Sequence, residues 1–416
     1  MPASPSTARA INDRLALRLL QDEGPLTAGQ LKTLTGLSRP TVADLVERLQ
    51  GSGLVQVVGE AGEQRRGPNA RLYGIVADRA HLAALDVRTQ GVSVVVADLL
   101  GATLADATLP IGTDTGTEPA VERAVALLER TARTAGVARL HSVGIGAPGL
   151  IDPTTGELRD STNLPAWHRR LVADLQERLP ATVLVENETN LAAVAEQRLG
   201  AARDRDTFVL LWLGQGVGAA LVLDGRLRRG ASGGAGEIGF LPVPGTAALP
   251  SADRCEGGFH SLAGGAAVAR LAERYGLRED AESSVRAAVA GLEDRSGAPA
   301  SEPVLAAAPA EAFLDALAER VAVGVAAAVA VLDPGCVVLG GEIGHAGGAS
   351  LATRVERRLN AMSPLRTEVR AGELGGAGVL HGALLTARDA AQDDLYTTVR
   401  ESGRAPSPAD GEPMSP

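Results

Sequence analysis

Hydrophobic positions over residues 11–49 recur at helical spacing and then, further along, at the spacing of strands. Ile11, Leu15 and Leu19, with Leu20 beside them, line one face of a first helix that ends near residues 22–25. Thr27 and Gln30 stand as N-cap and N3 of a capping box, and Leu26 and Leu31 hold the two positions of a hydrophobic staple, so a second helix starts there and stops at Gly36. Ser38 caps a third helix that tolerates Pro40 in its first turn. Its Val42, Leu45, Val46 and Leu49 form one buried stripe, and Arg39, Thr41, Ala43, Asp44, Glu47 and Arg48 face outward. Residues 1–8 are expected to be flexible. Residues 54–58 and 70–75 then predict two strands around a loop holding Arg65, Arg66, Gly67 and Pro68. The whole, over residues 9–76, predicts a winged helix-turn-helix, in which the start of the third helix enters the DNA major groove. Ser38, Arg39, Thr41 and Arg48 on that helix, and Arg65 and Arg66 on the wing, are the candidate DNA contacts. Three-helix units also dock proteins; the polar helix start and the basic wing favour DNA.

From residue 78 strands alternate with helices. Residues 82–111 read as a three-stranded meander, 118–136 as a helix bearing Val121, Val125 and Leu128, and 142 onward as a strand. A helix over 171–179, a strand over 182–187 and a helix over 188–199 follow. The stretch 208–240, FVLLWLGQGVGAALVLDGRLRRGASGGAGEIGF, opens a second meander. Its two apolar runs are joined by Gly214-Gln215-Gly216, and DGR at 224–226 is a hairpin signal. Glycines at the first of these turns would let backbone N–H groups approach an anion such as phosphate, but spacing alone favours a plain tight hairpin in a small-residue core. Two meanders, each followed by helices, imply an α/β body of two lobes, a duplicated ribonuclease-H-like unit. Lobe one takes about residues 78–187 plus a helix over 378–391, and lobe two about 188–377, within a body over 78–395. Residues 279–303, polar and Ala-rich, read as an insertion or mobile loop. Residues 310–332 are a long helix, apolar on most faces and therefore buried, running into a strand and glycine turn over 333–344. The tail over 400–416, rich in Pro, Ser and Gly, is expected to be disordered.

Composition narrows the function classes. The 416 residues suffice for two or three domains. No apolar run of about 18 residues and no signal-like start are present, which predicts a soluble cytoplasmic protein without membrane association. Cys255 and Cys336 are too few for a disulfide framework or for a cysteine-based zinc site by themselves. Lys32 is the only lysine, so the body has no lysine nucleophile and no phosphate-loop lysine. The net charge of −10 argues against coating nucleic acid, but residues 1–75 hold nine Lys/Arg against seven Asp/Glu, so a DNA-reading face belongs at the front.

With these residues laid out, the chain resembles the ROK family (repressors, open reading frames and kinases), and within it the xylose- and N-acetylglucosamine-type repressors, over roughly residues 11–391. The most specific match is LGQGVGAALVLDGRLRRGASGGAGEIG, similar to the family's GTGxG turn, DGR hairpin and GxSGxAGEIGH. GIGAPGLID at 144–152, STNLPAW at 161–167, VENETNLAAVAE at 185–196 and VVLGGEI at 337–343 support it. The resemblance implies an actin- and sugar-kinase-like ATPase fold behind the DNA-binding module.

What it implies for chemistry differs position by position. The family's first phosphate loop, DxGGT, is here Asp86-Val87-Arg88-Thr89-Gln90, without either glycine, so no ATP is expected. The family's general base, the Asp of NDxN, is Glu188 of Asn187-Glu188-Thr189-Asn190, and Gln215 replaces a Thr of the second loop. Phosphoryl transfer depends on positioning, so no catalytic residue and no enzyme activity are expected. Of the family's zinc ligands, Phe240 replaces the histidine and Cys255 alone survives. Asp253 and His260 stand as weak substitutes, and no zinc is expected. The family's sugar contacts fall on Asn163, Asn187, Glu188 and Glu237, whereas Phe240 and Leu262 depart from it. The resemblance therefore implies a sequence-specific DNA-binding regulator, a repressor, dimeric or tetrameric, bound to a double-stranded operator and sensing a carbohydrate or related small molecule. The alternatives are a sugar kinase with an added DNA-binding module, or a constitutive regulator or scaffold that has lost its ligand.

Overall fold

The computed structural model describes residues 5–61, 70–112, 114–159, 165–251, 256–293 and 307–402. At the front, α1 (Pro5–Asp22) begins at Pro5, and residues 1–4 of the segment expected to be flexible lie outside the described residues. A proline suits the first turn of a helix, where its missing N–H has no intrahelical partner to lose. After β1 (Leu26–Thr27) comes α2 (Ala28–Thr35), closed by the predicted box: the Gln30 N–H donates to Thr27 Oγ1 at 3.2 Å, and the Thr27 N–H donates to Gln30 Oε1 at 2.9 Å. Gly36, at φ 70°, ends the helix by donating its N–H to the Lys32 carbonyl. α3 (Arg39–Gly51) is capped by Ser38, and β2 (Val55–Ala61) with β3 (Ala70–Ile75) complete a sheet in the order β1-β3-β2. Leu17, Leu20, Leu31, Val42, Leu45 and Leu49 pack as the core beneath it. Arg65 and Arg66 lie outside the described residues.

The body is built on two sheets of the same design. In the first, β4 (His81–Arg88), β5 (Gly91–Asp98) and β6 (Thr103–Pro110) form the antiparallel meander. α4 (Thr117–Thr134), β7 (Ser142–Ala147), α5 (Ala166–Arg178) and β8 (Thr182–Asn187) follow, with β7 and β8 parallel to β4, in the order β6-β5-β4-β7-β8. α6 (Glu188–Leu199) then leads to the second meander, β9 (Phe208–Leu213), β10 (Val217–Leu223) and β11 (Arg226–Arg228). Asp224 and Gly225, at φ 54° and 71°, make the predicted hairpin turn between the last two. The helices α7 (His260–Ala263), α8 (Gly265–Glu273), α9 (Ala281–Glu293) and α10 (Ala307–Leu332) come before β12 (Cys336–Gly340), α11 (Gly341–Met362) and β13 (Glu368–Ala371). The second sheet, β11-β10-β9-β12-β13, repeats the first strand for strand. No helix among the described residues is long and apolar enough to cross a membrane.

Three expectations need correction. Residues 281–293, read as part of an insertion or mobile loop, form α9, which buries Ser284, Val285 and Ala288 and packs against α10 and α11. α11 and β13 fill a region for which the sequence pattern predicts no element. The last helix, α12 (Gly378–Ser402), outruns its predicted end at residue 391, because Leu395 and Tyr396 are buried in the same core as Leu17 and Leu20 of α1. Residues 403–416 lie outside the described set.

α12 joins the two parts of the molecule. Midway along, its Ala387 carbonyl accepts from the Ser142 hydroxyl at 2.8 Å, fastening it to β7. Further on, Gln392 Nε2 donates to Gln21 Oε1 at 2.9 Å and Arg14 lies 3.5 Å from Asp393, both from α1. Gln21 in turn donates to the Leu100 carbonyl of lobe one at 3.4 Å.

Candidate functional site

A small cleft of about 150 Å³ opens between the sheets, bordered by Gly149, Asn187, Glu188, Trp212, Gly216 and Glu237. Its floor follows from how α6 starts. Asn187 is the N-cap, its Oδ1 accepting from the N–H groups of Thr189 (2.8 Å) and Asn190 (3.4 Å), and its Nδ2 donating to the Gly149 carbonyl at 3.0 Å. Most of the polar capacity of Asn187 is therefore spent on shaping the cleft, with one amide hydrogen left for a ligand. Glu188 follows at the first position of α6. Burial, reinforced by the charges of Asp86, Glu342 and Glu237 and opposed by Arg88, pushes its carboxyl up to about 8. At neutral pH it is therefore mostly protonated and both donates and accepts.

Glu237 reaches the cleft on the loop after β11. The loop is pinned by Arg229, whose Nε donates to Glu186 Oε2 at 2.5 Å. Glu186 Oε1 accepts from Asn190 Nδ2 and from the Asn187 N–H, both at 2.9 Å. Two glycines let the loop lie flat: a Cβ on Gly233 (φ 82°) would fall 1.9 Å from the Ile151 carbonyl oxygen, and one on Gly236 (φ 93°) 1.8 Å from that of Ala219. Burial also raises the Glu237 pKa. Among the described residues neither the Glu188 nor the Glu237 carboxyl has a hydrogen-bond or ion-pair partner, so both are available to a ligand. Asn163 lies outside the described residues.

Beside this cleft stands the turn that replaces the family's first phosphate loop. Arg88, at the end of β4, donates from Nε to Asp86 Oδ2 at 2.8 Å, from Nη2 to the Gly376 carbonyl at 2.9 Å, and from Nη1 to Glu342 at the start of α11. The two carboxylates hold the guanidinium pKa well above its usual value, and burial raises that of Asp86. His168 Nε2 lies 3.2 Å from the Arg88 carbonyl and, as the neutral ring that burial enforces by lowering its pKa to about 4, donates to it. A guanidinium thus crosses from one lobe to the other at the turn where the family's loop carries glycine. Neither Glu342 nor Gly376 was a candidate from sequence. The large Arg88 in place of a glycine was the available signal, but its partners are too distant along the chain to read.

Of the zinc candidates only His260 falls among the described residues. Asp253 and Cys255 lie outside the described residues. His260 opens α7, with its pKa lowered by burial and by Arg270, and the position of the family's histidine carries the phenyl ring of Phe240, which offers no ligand atom. On the front domain the reading helix is capped as expected: Ser38 Oγ accepts from the Thr41 N–H at 3.3 Å and bonds Thr41 Oγ1 at 2.8 Å. Arg39 is exposed on its first turn. Arg48 donates from Nη2 to the buried Asp13 of α1 at 2.6 Å and pairs through Nη1 with Asp44, so it braces α3 against α1.

A winged helix docked onto a duplicated two-lobed body with a polar cleft defines a DNA-reading module joined to a small-molecule-binding fold. The chain belongs to the ROK family, whose model matches residues 82–390, and residues 11–67 match the model of the MarR family. A glucokinase of Halalkalibacterium halodurans is 31% identical over 59% of this chain and 76% of its own length. An N-acetylglucosamine repressor of Escherichia coli O157:H7 is 27% identical over 64% of this chain and 64% of its own. Among solved structures, a ROK family transcriptional regulator, a homolog of the E. coli MLC protein, superposes with a TM-score of 0.72 over 95% of this chain and all of its own. At 19% identity that likeness is one of fold.

Proposed function

We propose that the protein is a DNA-binding transcriptional repressor whose ROK body, over residues 78–395, senses a carbohydrate and relays its binding to the winged helix over residues 9–76. The observation that carries this reading is the course of α12. The segment leading into it accepts a hydrogen bond from Arg88 beside the cleft, and its far end is buried with α1. A ligand bound between the lobes by Glu188 and Glu237, with Asn163 and Asn187 as further contacts, would shift the population of lobe arrangements and the seating of α12 on α1. In a homodimer or homotetramer this changes the spacing of paired reading helices, and with it the grip on an inverted-repeat operator. Arg39 and Thr41 would contact bases, and Arg65 and Arg66 the wing-side backbone or minor groove.

The test begins with genome-wide mapping of the DNA bound by the full chain. Affinity for one recovered site is then measured with and without glucose, N-acetylglucosamine and xylose. One sugar is expected to weaken binding, and Arg39→Ala to weaken it about tenfold or more and relax sequence preference. Unchanged affinity and preference in Arg39→Ala would remove the reading helix from the assignment.

The likeness to glucokinase and a cleft carboxyl with a raised pKa favour a second reading, a sugar kinase with Glu188 as general base. ADP release with any of the three sugars, abolished in Glu188→Gln, would establish that reading in place of the first.

A further inference from the structure

A protein holds a phosphate with helix N-termini and guanidinium groups; beside this cleft the guanidinium groups of Arg88 and Arg229 are already occupied by the chain's own carboxyls, and the N-terminus of α6 is capped by the Asn187 side chain. α6 opens with Glu188. α11 opens with Gly341 and Glu342, and the Glu342 carboxylate lies both on Arg88 and against the second glycine turn, where a Cβ on Gly214 would come 2.5 Å from Glu342 Oε2. The other Arg88 donors go to Asp86 and to the Gly376 carbonyl, and Arg229 is held by Glu186. Around Glu188 the carboxyls of Asp86, Glu237 and Glu342 act together, and Arg88 is the cation that opposes them.

We propose that the effector cleft, on the sensing reading above, selects an uncharged, unphosphorylated sugar and rejects sugar phosphates, with Glu342 as the specificity-determining residue. A phosphate monoester carries about −1.5 to −2 charges at pH 7. To gain a cation it would have to displace Glu342 from Arg88 and from the Gly214 turn at once, leaving that carboxylate without its counter-ion. Neutral hydroxyls meet no such barrier: Glu188 and Glu237 lack partners and can both donate and accept when protonated. The arrangement also explains why the first turn keeps Asp86 while losing both glycines. The carboxylate anchors the guanidinium that holds Glu342 in place.

Isothermal titration calorimetry of the full chain tests this with matched pairs: glucose and glucose 6-phosphate, N-acetylglucosamine and its 6-phosphate, xylose and its 5-phosphate. The expected result is that one free sugar binds and its phosphate binds at least tenfold more weakly. Glu342→Gln should narrow that ratio at least tenfold by strengthening the phosphorylated member. Asp86→Asn, which loosens Arg88 from the other side, should act in the same direction and serves if the first variant does not fold. A phosphate that binds the wild type as tightly as its parent sugar, or more tightly, overturns the inference and leaves the sensing reading standing. Selectivity unchanged in the folded variants overturns the assignment to Glu342. Binding of no member of any pair overturns the sensing reading and this inference with it.

Discussion

The first hairpin of each sheet occupies the same topological place, and the two differ where they face the cleft. β4 and β5 close on the pair Arg88 and Gly91, and Arg88 sends its side chain across to the other lobe. β9 and β10 close on Leu213 and Val217 with Gly214-Gln215-Gly216 between them, a turn with no side chain of its own at either glycine. Strand order is the same in both, because a meander followed by parallel strands needs only apolar runs and turns of the right length. What each turn offers a ligand is decided by two or three residues at the turn itself. A duplicated fold thus conserves architecture while its two halves drift apart in chemistry.

The largest effect is expected in the second lobe, where the glycine-rich loop after β11 closes against β10 of the second hairpin. Gly236→Ala puts a Cβ into the Ala219 carbonyl at a positive φ, and a loss on the order of 3–5 kcal/mol is expected in denaturant unfolding of the full chain. A loss below about 1 kcal/mol would show that the loop relaxes freely. On the arginine side, Arg88→Ala strands Asp86 and Glu342, and about 1–3 kcal/mol is expected once the partial exposure of the guanidinium is allowed for. Pairing it with Glu342→Ala should cost less than the sum of the single losses, and strict additivity would mean that the two do not interact.

Glu188→Gln sharpens the contrast through pH. The folded carboxyl titrates at about 8, above its unfolded range, so the folded chain binds the extra proton. Its contribution is intact at pH 4 and is lost as the pH rises towards 8. The amide should therefore match the wild type near pH 4 and exceed it in thermal stability at pH 9 by roughly 2 kcal/mol, less than the full shift because the group borders an open cleft. Equal melting at both values would place Glu188 in water. The smallest effect is expected at the far end of α12: Gln392→Ala should cost about 1 kcal/mol. It should blunt the effector's influence on operator binding more than it weakens DNA binding itself, and an unaltered effector response would take this contact out of the relay.

Much of the architecture is legible because it follows from neighbours within a few residues. The Thr27 and Gln30 box, the Ser38 cap, the α6 boundary at Asn187 and the Asp224-Gly225 turn are local hydrogen bonds and backbone preferences, visible as short motifs. The apolar runs of β9 and β10 announce buried strands in the same way. α9 escapes such reasoning because its Ser284 and Ala288 become a core face only once α10 and α11 cover them. The extra turns of α12 escape it for the same reason: Leu395 and Tyr396 bury themselves against α1, at the opposite end of the chain.

The candidate site divides along the same line. That Glu188 and Glu237 would face a ligand, and that Arg88 breaks the phosphate loop, is carried by motif positions. Which polar atoms remain free is a tertiary matter. Asn187 spends its amide on a cap and on Gly149, Arg48 is taken by Asp13 thirty-five residues away, and Arg88 meets Glu342 across 254 residues. Electrostatic pairing depends on distance in space and on burial, and neither follows from separation along the chain. The residue types at the cleft were therefore readable in advance, whereas their charge states and partners came only from the packing of one lobe against the other.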